Sequence, residues 1–299
     1  MKCNSFYLGF ALSVISMLLV SCDAEFVQET TVVIGDKTDS SLSDFHASMD
    51  DSFSYRSERT AISTSPGADG TYSLRWESGD EISISEGNNT AVYATNGIGN
   101  TAKFSKKSGY ISNTATKYVA FFPASLTPKN QMLPATQEYV AGNVKNYPMY
   151  AESYDKNLSF KNPCGILRLS LTNTEVSRQI SVKSVSVSVE GRGLSGRFTM
   201  DASRAAVVSG NDGVVLNCAT PVTLGTGTRD FNIVVPKGIY YAMKIKITAQ
   251  DGKVIYLEGK SAVCINRSGI TKVNVTLKAD SFNNSFEVIS DKMITFTPD

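Results

Sequence analysis

The chain has one histidine, His46, among its 299 residues. Histidine is the usual general base near neutral pH and the commonest metal ligand. One copy excludes a multi-histidine metal centre built by this chain alone. A Ser-His-Asp or Cys-His relay would have to use His46, which sits in a polar stretch, residues 39–51, poorly suited to orienting an imidazole. Charge of one sign is missing too: 29 Lys and Arg stand against 28 Asp and Glu, net +1, so nothing electrostatic calls for nucleic acid as a partner. Past the first 22 residues there is no long apolar run, and no window of about 12 residues carries a helical stripe. The five cysteines include no C-x-x-C pair, which excludes the usual zinc and redox motifs. No catalytic residue, cofactor or metal is expected.

What is present starts with an address. Residues 1–22 (MKCNSFYLGFALSVISMLLVSC) pair Lys2 with an apolar run over residues 6–20. That run is short for a membrane span, which needs about 20 apolar residues, and it fits a secretory signal. It ends Leu19-Val20-Ser21-Cys22, which resembles the lipobox of bacterial lipoproteins. The resemblance implies cleavage before Cys22, acylation of its thiol and new amine, and stable anchoring, since each buried CH₂ contributes about 0.8 kcal/mol. The alternative is an ordinary cleaved signal with an incidental Cys22. Asp23 and Glu25 resemble the surface-export signal of Bacteroidetes lipoproteins. Of the other cysteines Cys3 lies in the signal. Cys164, Cys218 and Cys264 are read as small buried hydrophobes, with one disulfide among them left open.

From about Phe53 the chain becomes a series of short alternating runs. They cover residues 72–76, 81–85, 117–122, 166–171, 182–189, 231–235, 243–248, 254–257 and 273–277. Alternation of β-branched and aromatic residues over four to eight positions is the half-buried strand pattern. Asp69-Gly70, Asn96-Gly97, Asp212-Gly213 and Asp251-Gly252 supply hairpin turns. The class is therefore all-β, with sandwich architecture. Residues 126–149 read as a long proline-containing excursion. The expected organisation is a signal over 1–21, a prosegment or linker with a first strand over 22–52, one sandwich over 53–161 and a second over 162–299.

Several motifs point elsewhere and lack their context. Residues 191–196 match G-x-G-x-x-G, but an alternating run follows, not the helix whose amides would hold a pyrophosphate. Glu77, Asp80 and Glu81 are the one nominable carboxylate set for glycoside hydrolysis, yet they flank a turn at Ser78-Gly79. Trp76 reads as a core anchor ahead of a sugar platform.

Residues 76–82 (WESGDEI) resemble the W-x-x-G-D-x-I element of the fimbrillin-family lipoproteins of Bacteroidetes. Arg59-Thr60 resembles the R-T before it. Residues 121–125 (FFPAS), with Pro123, resemble the F-P-A-S strand end. Pro134 with Gln137, Pro148-Met149, residues 160–171 with Cys164-Gly165, and residues 194–196 resemble later family segments in the same order. The resemblance implies two transthyretin-like β-sandwiches, export to the outer membrane through Cys22, and no enzymatic activity. It implies assembly with other fimbrial subunits, with adhesion to a host or bacterial surface receptor as the end use. It further implies proteolysis after Arg56 or Arg59, loss of a first strand (residues 30–34 are the candidate), and filling of the vacated groove by a donor strand. The candidate donor is the C-terminal tail, residues 286–296. An alternative end use is a non-polymerising surface lipoprotein that binds glycan or host protein.

Overall fold

The computed structural model describes residues 44–49, 75–112, 115–145, 147–175, 177–201, 205–259 and 261–282. Its regular structure is β throughout, apart from one 3₁₀ turn at Ala279–Ser281. The strands in chain order begin with β1 (Phe45–Met49), β2 (Glu81–Glu86), β3 (Asn89–Ala94), β4 (Thr101–Gly109) and β5 (Tyr118–Phe122). Short strands follow: β6 (Met132–Leu133), β7 (Thr136–Val140), β8 (Asn143–Val144), β9 (Met149–Ser153) and β10 (Asn157–Phe160). Then come β11 (Cys164–Asn173), β12 (Ile180–Ser188), β13 (Ser195–Met200), β14 (Ala206–Asn211), β15 (Gly213–Leu224) and β16 (Arg229–Pro236). The last are β17 (Gly238–Tyr240), β18 (Lys244–Ala249), β19 (Val254–Glu258), β20 (Val263–Ile265) and β21 (Ile270–Leu277).

Period two explains most of them. In β18 the inward residues Ile245, Ile247 and Ala249 are buried while Lys244 faces out. Its hairpin to β19 turns at Gly252, whose φ of +86° suits a residue without Cβ. The G-x-G-x-x-G run leads into β13, so no helix stands there to cradle phosphate.

Two main cores form. In the first lobe a seven-stranded sheet runs β10-β1-β4-β3-β2-β5-β9. Its terminal strands meet: Tyr150 N–H donates to Lys161 O at 3.0 Å, and Lys161 N–H to Tyr150 O at 2.8 Å. The sheet thus curls round a core of Phe45, Trp76, Tyr93, Phe104, Tyr118 and Phe160, among others. In the second lobe the three-stranded sheet β16-β11-β21 faces the six-stranded sheet β19-β18-β12-β15-β7-β8 as a sandwich. Leu167, Leu169, Phe231, Ile233, Ile247 and Val273 fill the space between them. A small sheet, β14-β13-β6, contributes Leu133, Phe198 and Ala206 to a third cluster with Cys164, Ile166 and Val234.

Residues 126–149, expected as an excursion, carry three strands. β7 pairs in parallel with β15, and Gln137 uses its side-chain amide to bond both Val234 O (2.8 Å) and Val234 N–H (2.9 Å). This stretch lies on the N-terminal side of residue 161 but pairs with the second lobe.

Candidate functional site: the slot filled by β1

The polar stretch that holds His46 contains a strand. Phe45, Ala47 and Met49 of β1 are buried and His46 is exposed. The alternation Phe45-x-Ala47-x-Met49 is a strand signal hidden among Asp44, His46, Ser48 and Asp50. The candidate first strand, residues 30–34, lies outside the described residues, as do Cys22, Arg56, Arg59 and the tail, residues 286–296.

β1 is bonded on both sides. It runs parallel to β10, with Ala47 opposite Leu158 and Met49 opposite Phe160. It runs antiparallel to β4, with Phe45 opposite Phe104 and Ala47 opposite Ala102. His46 N–H donates to Lys156 O at 2.9 Å, and Met49 N–H to Asn100 O at 3.2 Å. At its start Lys103 Nζ sits 2.6 Å from Asp44 Oδ2, and Ser105 Oγ donates to Asp44 Oδ1 at 2.6 Å. The hydrogen bond from Lys103 holds the Asp44 carboxyl below the usual carboxylate range.

The inward face of β1 completes an aromatic core. The Phe45 ring stands edge-on to Tyr93 and to Tyr118, each with centroids 5.0 Å apart. Burial pushes the Tyr93 phenol up to about 12, and its hydroxyl has no hydrogen-bond partner among the described residues. Trp76 is fully buried and packs edge-on against Phe104 (4.8 Å), Phe160 (5.2 Å) and Phe122 (6.0 Å). Its indole N–H donates to the main-chain oxygen of Ala47 at 3.0 Å. The core-anchor reading of Trp76 therefore acquires a second part, a bond to the strand in the slot.

The other motif residues build the frame. Gly79, with φ +90°, and Asp80 close the turn after Trp76: Asp80 Oδ2 accepts from Glu77 N–H at 3.0 Å, and Asp80 N–H donates to Glu77 O at 3.1 Å. Glu81 ion-pairs with Lys107, and Glu77 lies 3.9 Å from Arg75. Each nominated carboxylate is thus engaged in the turn or in a surface pair. Pro123 follows a cis peptide at the end of β5. Pro148 is buried at the start of β9. Cys164 and Gly165 lie elsewhere, at the start of β11. Cys164 O accepts from Tyr147 Oη (2.6 Å) and Ser268 N–H (2.9 Å). A Cβ on Gly165 would fall 2.3 Å from Asn266 O, so the close backbone approach requires glycine. Cys164 and Cys218 are free thiols, so no disulfide joins two of Cys164, Cys218 and Cys264. Burial pushes the Cys164 thiol up to about 12 and the Cys218 thiol to about 11.

No family model and no curated protein sequence matches this chain. Among solved structures, a "putative cell adhesion protein" from Bacteroides uniformis aligns over 81% of this chain and 94% of its own, at 13% identity and TM-score 0.48. One so described from Bacteroides ovatus aligns over 80% and 93%, at 12% identity and TM-score 0.49. The tip fimbrial protein Mfa3 from Porphyromonas gingivalis aligns over 78% and 95%, at 8% identity and TM-score 0.31. Likeness of this degree fixes neither a family nor a function.

Proposed function

We propose that the chain is a structural or accessory subunit of cell-surface fimbriae that assembles by strand exchange and supports adhesion. The observation that carries this reading is the place of β1. It sits in the interior of a sheet whose outer strands meet, with β10 on one side and β4 on the other. The chain linking it to β2, residues 50–80, contains both Arg56 and Arg59. Cutting that link frees a five-residue strand held by main-chain bonds and three inward side chains. Its departure would leave two unpaired strand edges and an open apolar core, which template another strand. Head-to-tail repetition of such a contact builds a filament.

The leader, the prosegment, the two-sandwich division near residue 161 and fatty acylation of Cys22 belong to the same proposal, as does location on the outer membrane surface. The partners are other fimbrial subunits, membrane lipid and a surface receptor. The role is structural, without catalysis.

The test is to treat surface-displayed protein with an Arg-specific protease and read the new N-terminus and the assembly state. The expected result is a terminus after Arg56 or Arg59, together with SDS-resistant ladders. A product trimmed there that enters no SDS-resistant assembly, alone or with other surface proteins, overturns strand exchange.

A further inference from the structure

The slot does more than accept a strand, because its three inward positions differ in size. Phe45 is fully buried against the Tyr93 and Tyr118 rings. Ala47 is fully buried between Leu158 and Ala102, beneath the Trp76 indole that holds its carbonyl. Met49 is nearly buried opposite Phe160. The cross-strand partners of the outward residues are polar: His46 lies opposite Lys103 and Asn157, and Ser48 opposite Thr101 and Ser159.

The two kinds of contact read different things. A pocket walled by rings discriminates side-chain volume, since both underfilling and overfilling a packed core are costly. An indole N–H bound to a main-chain oxygen is indifferent to the side chain, because every residue offers that oxygen. It does discriminate register, because successive carbonyls along a strand point to opposite sides and a one-residue slip turns that oxygen away from the indole.

We propose that the slot selects, from another chain, a strand of the pattern aromatic–any–small–any–long apolar, with Trp76 setting its register, and that residues 283–299 of a second copy are not that strand. This rests on the strand-exchange reading above. The second clause follows from the sequence beyond the second lobe. Within residues 283–299 no alternate triple repeats the pattern in the direction of β1: Val288 and Ser290 follow Phe286, and Pro298 follows Phe296. Phe282 is already buried in the second lobe's core.

The experiment uses the full chain with a site-specific protease sequence inserted between residues 60 and 61, cut after folding. Cutting then does not depend on Arg56 or Arg59. Displacement of a fluorescent peptide of residues 43–51 by unlabelled peptides ranks the occupants. Phe45→Ala in the competitor weakens it at least about a hundredfold, and Ala47→Leu at least about tenfold. His46→Ser and Ser48→Asn stay within about threefold. The peptide of residues 283–299 competes no better than its scrambled version. Equal ranking of inward and outward changes overturns the pattern, and competition by 283–299 as tight as 43–51 overturns the second clause.

Trp76→Phe in the protein weakens every peptide by about fivefold and leaves their order intact. A changed order overturns the register role. Where Trp76→Phe does not fold, a peptide with a thiocarbonyl in place of the Ala47 carbonyl gives the same reading, and an undiminished affinity for it overturns the role. Absence of cleavage after Arg56 or Arg59 in the native chain sinks the assembly reading and leaves this ranking standing.

Discussion

The two lobes close their cores in different ways, the first around a cluster of aromatic rings and the second around a mostly aliphatic one. In the second lobe the sheets are assembled largely from strands that follow one another in the chain, β11 to β21, with β7 and β8 added at one edge. In the first lobe a strand from residues 45–49 closes a gap between residues 101–109 and 157–160. The second lobe's core is therefore bound up with its own continuity. The first lobe's core includes a strand that is joined along the chain to the next strand of its sheet only through residues 50–80. A sheet that curls onto itself leaves no edge except the one a missing strand would make.

The chain's one tryptophan makes this difference measurable. Trp76 lies in the first core, so its fluorescence reports that lobe alone, while circular dichroism reports both. The largest effect is expected from Phe45→Ala. Loss of a fully buried ring should destabilise the first lobe by about 3–5 kcal/mol. The tryptophan transition should move to lower denaturant and separate from the dichroism transition. Coincident shifts would mean that the lobes unfold as one unit and would break the contrast.

Gly165→Ala is the counterpart in the second lobe. A methyl group 2.3 Å from Asn266 O forces the backbone apart at about 1–3 kcal/mol. The dichroism transition should shift while the tryptophan transition keeps its midpoint.

Alkaline pH should weaken both lobes. Tyr93 titrates near about 12 in the folded chain, against about 10 when unfolded. The native state keeps its proton where the unfolded chain has lost it, so stability is whole below pH about 10 and falls as pH rises toward about 12. Cys164 acts in the same sense, its buried thiol pushed up from 9.0 to about 12. Denaturation midpoints measured from pH 8 to pH 11 check this. Tyr93→Phe should flatten the alkaline slope of the tryptophan signal.

The smallest effect is that same substitution at neutral pH. It removes a buried hydroxyl without a hydrogen-bond partner among the described residues, so the first lobe should gain about 1 kcal/mol. A loss of stability would reveal a partner for that hydroxyl and would sharpen the map of the slot.

Much of the fold was legible because alternation is a local property. The runs at 81–85, 166–171 and 254–257 became β2, β11 and β19 with small changes at their ends. The turn at Gly79-Asp80 was equally local. β1 escaped notice because its three apolar positions are separated and flanked by polar residues. β7 escaped because its partner, β15, lies far along the chain and its proline-containing surroundings suggested a loop. The importance of Trp76 was half legible. An indole in an all-β chain announces a core, but nothing near residue 76 announces a bond to residue 47.

Composition and period two determined by themselves that this protein is all-β, since a chain with alternating runs and no helical stripe has few other ways to bury its apolar surface. Only the tertiary structure decided which strand lies between β10 and β4 in the first sheet and what its inward residues pack against. Contacts between residues tens of positions apart depend on how strands meet in space, and the spacing of residues along one strand does not encode that.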